Sequence, residues 1–153
     1  MLKNMFILGS AILSAFIAQL LKPIIYYLFI EHTWKPCLIK DSGGFPSSHS
    51  SMVTTLSILV GLTEGFSSTL FAITCAFSII IIYDAANVRY YSGQNAKITK
   101  QLIKDLKEDN PLEFGNPIYN IKLKDVLGHK WQEVLGGIIL GAIIAIALYN
   151  IMY

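Results

Sequence analysis

Four apolar blocks separated by polar stretches constrain what this chain can fold into more than any other feature. Each is judged against the roughly 20 apolar residues that a membrane-crossing helix needs. The first runs from about Met5 to Ile30 and contains Gln19, Lys22 and Pro23. The second begins within the Ser47 to Ser51 cluster and ends near Leu62, which makes it short. The third runs from about Ser67 to Tyr83 and continues into Asp84 and Arg89. The fourth runs from about Trp131 to Tyr153, with Gly136, Gly137 and Gly141 allowing close helix packing or subunit contact. Only 14% of the residues are charged, against about 25% in soluble proteins. The expected fold is therefore all-α: a polytopic membrane helical bundle of about four transmembrane helices, forming one domain over residues 1–153. The first block is too long for a cleavable signal peptide, and no small-residue cleavage site precedes the polar loop. A net charge of +2 gives no argument for nucleic acid. Cys37 and Cys75 lie in different settings, so no disulfide is expected.

Two crossings separate the segment 31–47 from the segment 84–130, so both lie on one side of the membrane. That side carries Lys35, Lys40, Arg89, Lys97, Lys100, Lys104, Lys107, Lys122, Lys124 and Lys130, whereas the other has only Lys3. The positive-inside rule makes this face cytoplasmic, with both termini outside. Within it, residues 94–107 place Ile98, Leu102, Ile103 and Leu106 on one helical stripe among Lys97, Lys100, Lys104 and Lys107. This spacing predicts an interfacial amphipathic helix, broken by the prolines and glycine between Asn110 and Pro117. There is no internal repeat or low-complexity tract.

Four polar clusters carry candidate chemistry. Gly43-Gly44-Phe45-Pro46-Ser47-Ser48-His49 puts flexible backbone, hydroxyls and an imidazole at the start of an apolar run. Glycine admits close approach of a ligand, Pro46 pre-sets a first helical turn, and free N–H groups at a helix start favour a phosphate. Asp84 and Arg89, with Gly93 beyond, follow the third block. An Arg there either anchors the helix at the interface or offers a fork of donors to phosphate oxygens. His129 and Glu133 are four apart, hence on one face of a helix, where the carboxylate could orient the ring. An ordinary first-turn acid would read the same way. Gln19 and Lys22 share one face of the first helix, and an intramembrane cation either faces the bundle interior or snorkels to the boundary.

Together these clusters resemble the divergent branch of the type-2 phosphatidic acid phosphatase and vanadium haloperoxidase superfamily, over nearly the whole chain. The resemblance rests on Ala18-Gln19 with Lys22, Gly-Gly-x-Pro-Ser-Ser-His-Ser at 43–50, Asp-Ala-x-x-Val-Arg at 84–89 with Gly93 and Ala96, and Leu-Gly-His-x-x-x-Glu-Val at 127–134. It implies that Gly44, Ser47 and Ser48 contact phosphate and that His49 is the acid for the leaving group. It likewise implies that His129 attacks phosphorus to form a phosphohistidine and that Glu133 orients it, with Glu where Asp is usual. Lys22 and Arg89 would be the phosphate-binding cations, supported by Gln19 and Asp84. Asn87, Tyr90 and Asn95 stand where the branch usually has Gly, a second Arg and Gln.

The activity so implied is hydrolysis of a lipid phosphate or diphosphate without metal or other cofactor, in a prokaryotic plasma membrane. Its partners are the phosphorylated lipid and the bilayer, with self-association left open. The alternative is a non-catalytic protein that binds or carries a phosphorylated headgroup in the same pocket. A transition-metal centre on His49, His129, Asp84 and Glu133 has suitable ligand types, but neighbouring Lys and Arg would repel the cation.

Overall fold

A computed structural model describes residues 2–32, 34–41, 43–109 and 128–152. Helix α1 spans Leu2–Tyr26 and continues through a π-helical turn, Tyr27–Glu31, into a 3-10 turn at Pro36–Lys40. Helix α2 spans Ser48–Glu64 and α3 spans Thr69–Tyr83. A second π-helical turn, Asp84–Val88, joins α3 to α4 at Arg89–Asp109, and α5 spans Trp131–Met152. The described residues are helices and their connections, as expected of an all-α membrane bundle.

Helix α2 is the axis of the bundle and packs against α1, α3 and α5. Its register is written by side-chain pairs. Ser51 meets Ser14 of α1 at 2.6 Å, and Ser57 meets Ser78 of α3 at 2.8 Å. Thr55 donates to Ser14 Oγ at 2.8 Å and to the Gly141 carbonyl of α5 at 3.0 Å. Gly137 and Gly141 face Ser47 and Ser51 so closely that a Cβ at either would collide with backbone. The Gly136 face is filled by the Phe45 ring. The glycines of the fourth block are thus used in packing within the chain. At the far end, Ile7, Leu59, Val60 and Ala145 form an apolar cluster.

Among the described residues, three stretches are long and apolar enough to cross a membrane: Asn4–Phe29, Thr69–Leu106 and Trp131–Met152. Of the about four blocks expected, α2 is the one that falls short of that standard. It has 17 residues, about 25 Å of helix against a hydrocarbon core of about 30 Å. The physical reason is enclosure. Because α2 faces other helices rather than lipid, its interior positions are Ser50, Ser51, Thr55 and Ser57 as well as Val53, Leu59 and Val60, all buried. Hydroxyl bonds between membrane helices contribute about 0.6 kcal/mol each. The outer helices turn Phe16, Phe77, Ile79, Ile139 and Ile143 outward, as a lipid-facing surface requires.

Capping fixes the helix ends. The Ser47 hydroxyl caps α2, accepting from Ser50 N at 3.3 Å, and Ser68 caps α3 through Phe71 N at 3.2 Å. Gly65, at φ +93°, turns the chain between them. Pro46 therefore lies before the cap and outside the helix, not in its first turn as the sequence suggested. At the end of α1, Tyr27 meets His32 and Trp34 edge to face at 6.4 and 6.2 Å, the kind of aromatic belt found at a bilayer boundary. Beside it the Glu31 carboxylate and the Tyr26 hydroxyl hold the Lys35 ammonium above its ordinary pKa range.

The amphipathic stripe predicted for 94–107 falls on α4. Ile98, Leu102 and Leu106 remain 67, 56 and 47% exposed, and α4 packs chiefly on the π turn before it. The predicted break at Asn110–Pro117, with Lys122 and Lys124, lies outside the described residues. Cys37 and Cys75 are free.

Candidate anion site

The four polar clusters meet at one end of the bundle, and Glu133 joins two of them. Its Oε2 accepts from His129 Nδ1 at 2.9 Å, from Gly44 N at 3.2 Å and from Lys130 N at 3.2 Å. Its main-chain carbonyl accepts from Ser47 N at 2.9 Å. The start of α5 thus holds the Gly-Gly-Phe-Pro-Ser loop with both side chain and backbone. Gly44 sits at φ +96°, a conformation that L side chains rarely adopt.

His129 does not lie on the helix, as its spacing from Glu133 implied, but two residues before α5. It reaches Glu133 because Lys130 N donates to the Glu133 carboxylate at 3.2 Å, one half of a capping box, while Glu133 N donates to Lys130 O at 2.9 Å to close the turn. His129 N donates to the Ala85 carbonyl of the π turn at 2.8 Å. Gly128, at φ +81°, lies against the Ala85, Arg89 and Tyr90 backbone with no space for a Cβ. A carboxylate only accepts, so Nδ1 carries a proton towards Glu133 and Nε2 is the nitrogen turned away from it. The side chain is 1% exposed, and among the described residues Nε2 has no hydrogen-bond partner.

His49 faces it, the two ring centroids 5.9 Å apart at 65°. His49 Nδ1 is also buried without a partner among the described residues. Lys22, Asp84, Arg89 and His129 all lie within electrostatic range of His49. Lys22 is 2% exposed and donates to the Asp41 carbonyl at 3.0 Å, so it faces the interior and does not snorkel. Gln19 Nε2 donates to the Ile39 and Asp41 carbonyls, fixing the same turn.

Other members are engaged within the chain. Ser47 Oγ accepts from Ser50 N and from Ser50 Oγ at 3.0 Å, so its lone pairs serve the cap. With Ser47 N and Ser50 N engaged, Ser48 and His49 are the α2 first-turn residues whose N–H groups lack a partner within the helix. Gly44 N is taken by Glu133. Arg89 is on the rim, its Nε bonded to Asp84 across the π turn, with both side chains partly exposed. Sequence reasoning missed Asp41 and Ala85, which act through main-chain carbonyls and leave no side-chain signal. Two cavities flank the site. One of about 270 Å³ is lined by Lys22, Ile25, Leu38, Gly44, Phe45 and Glu133; the other, of about 340 Å³, reaches His129 from the side of Asn87 and Tyr90.

An all-α bundle with long lipid-facing helices, carrying paired histidines, a carboxylate and a buried lysine at one end, defines an integral membrane protein of the phosphatidic acid phosphatase-related class. The Divergent PAP2 family matches residues 2–144, and the chain belongs to it. YuiD, a membrane protein of Bacillus subtilis (strain 168), is 34% identical over 150 residues, covering 94% of this chain and 93% of its own. No solved structure matches.

Proposed function

We propose that this protein is a membrane phosphatase that hydrolyses a lipid phosphate or diphosphate through a phosphohistidine. The observation that carries this reading is His129: buried, held at Nδ1 by Glu133, with its Nε2 unpartnered among the described residues opposite His49. Nε2 attacks phosphorus while the ester P–O bond breaks, and protonated His49 gives its proton to the departing oxygen. Water then attacks the phosphorus of the phosphohistidine and yields a proton to His49. The P–N bond breaks, releasing phosphate and restoring both rings. Lys22 has three donors, one of them used by Asp41 O, which leaves the others for phosphate oxygens. Ser48 and the first-turn amides of α2 add neutral donors, and Arg89 reaches phosphate by leaving Asp84. Glu133 keeps the nucleophile in the required tautomer.

The site lies on the cytoplasmic face of a prokaryotic plasma membrane in this proposal, since Lys35, Arg89, Lys97, Lys100, Lys104 and Lys130 stand at that end. The competing reading, a carrier of phosphorylated headgroups, is favoured by one feature: Arg89 is bonded to Asp84 on the rim. The test is phosphate release by purified protein in detergent from phosphatidic acid, phosphatidylglycerophosphate and prenyl diphosphates. Wild type is expected to turn over and to yield an acid-labile, base-stable phosphoprotein, and His129→Ala to do neither. Equal release by His129→Ala would sink the mechanism, and binding without turnover would favour the carrier.

A further inference from the structure

The cavity of about 340 Å³ is not used by the chemistry above, although His129 forms part of its wall. Its other walls are Asn87 and Tyr90 from the α3–α4 junction, Tyr91 beside them, and Trp131 and Gln132 from the start of α5, with Lys130 also lining it. Tyr90 and Tyr91 stand edge to face at 5.5 Å, and Trp131 is 55% exposed. Aromatic faces thus alternate with two primary amides and two phenols.

We infer that this cavity is a subsite for a hydroxyl-bearing group, glycerol or a sugar, attached to the phosphate that His129 receives. Hydrogen-bond type selects the ligand. Amides and phenols each present donors and acceptors, which a hydroxyl satisfies in both senses. A second phosphate only accepts, so the Asn87 and Gln132 carbonyl oxygens would face an anion unpaired. A bare hydrocarbon pairs with none of these part-exposed groups and only displaces water from them, whereas a polyol replaces that water bond for bond. The ring faces of Tyr90, Tyr91 and Trp131 cover the C–H side of a polyol. The cavity on the other side of Glu133 is lined by Ile25, Leu38 and Phe45 together with Lys22, Tyr26 and Asp41, and holds no primary amide.

This inference rests on a phosphate being bound at His129, and it is read by binding so that it does not depend on turnover. Trp131 becomes the sole tryptophan in Trp34→Phe protein, and its fluorescence is titrated in detergent with glycerol 1-phosphate, butyl phosphate, pyrophosphate and inorganic phosphate. Glycerol 1-phosphate is expected to bind about tenfold tighter than butyl phosphate, which matches its size without its hydroxyls. Asn87→Leu and, separately, Tyr90→Phe are expected to reduce that ratio several-fold, the second with minimal change of shape. A ratio near one, or pyrophosphate binding tightest, overturns the subsite while leaving the phosphatase reading standing. Failure of the phosphatase reading would appear instead as absence of phosphate release alongside an intact ratio. Tighter binding of a dioctanoyl lipid bearing the same glycerol phosphate assigns the group to a lipid headgroup. Equal binding assigns it to a soluble polyol phosphate, and either result supports the subsite.

Discussion

Three donors converge on one oxygen of Glu133, and only one belongs to His129, the proposed nucleophile. Truncation therefore has two separable effects. Glu133→Ala leaves Gly44 N, Lys130 N and His129 Nδ1 without their acceptor, at about 1–3 kcal/mol for a buried donor so stranded. A fall in melting temperature in detergent, together with loss of phosphate release, is the expected result. Glu133→Gln keeps the shape and one acceptor oxygen, so its melting temperature stays nearer wild type. It removes the charge that orients His129, and release is expected to fall about 10²- to 10⁴-fold. If both variants lose stability equally and Gln retains activity, Glu133 is a structural cap and no more. The pairing of His129 with Glu133 was legible from their spacing, but for a reason the spacing did not contain. It is produced by the first turn of α5 folding onto Lys130, with His129 just outside the helix. Ser47 illustrates another case: a hydroxyl that reads as a phosphate contact also caps α2 through its lone pairs, with its proton still available to donate.

At the scale of elements, the long apolar helices were legible because lipid-facing segments must be apolar along their whole length. α2 was legible only as a short block, because enclosure replaces apolarity with small and hydroxyl-bearing residues. The π turn at Asp84–Val88 left no signal, since five residues are too few to display a period. Yet it carries the Ala85 carbonyl that holds His129 N, and such turns often mark functional sites. Gly128→Ala puts a Cβ against that turn at positive φ, a conformation costing about 1–2 kcal/mol for an L residue even without the collision. It is expected to abolish phosphate release in protein that still folds, because only the docking of the 128–130 segment is disturbed. Undiminished release would show that the π turn does not position His129. The α2–α5 contact makes a paired prediction. Gly137→Leu or Gly141→Leu overpacks the helix seam and destabilises by at least about 1–3 kcal/mol. Gly9→Leu, where nothing lies within 4 Å, is expected to be tolerated and to gain helix propensity. Similar melting temperatures for all three would mean that α5 does not pack on α2 as described.

On the scale of the whole molecule, register and length together dictate how the bundle sits in a bilayer. Ser51 opposite Ser14 and Ile7 close to Leu59 make α1 and α2 antiparallel; Gly137 at Ser47 and Gly141 at Ser51 make α2 and α5 parallel. The helical run Thr69–Leu106 has 38 residues, about 57 Å, nearly twice the hydrocarbon thickness. Its second half, α4, must therefore leave the core, and its basic face with exposed Ile98, Leu102 and Leu106 fits the headgroup layer. If α2 crosses within the enclosure of its neighbours, the Gly65–Ser68 turn and α4 lie on opposite sides of the membrane. In a Cys37→Ser, Cys75→Ser background, Ser67→Cys is expected to react with an impermeant maleimide added to intact cells. Lys97→Cys is expected to react only after the membrane is opened. The reverse pattern would place the histidine site on the outer face and overturn the positive-inside assignment, while reaction of both from one side would show that α3 does not cross. Because α1 and α5 end beside the same core cluster, a cysteine at Asn4 or Asn150 should report the same side as Ser67. That agreement would fix the membrane face of His49, His129 and Lys22 independently of any assay of their chemistry.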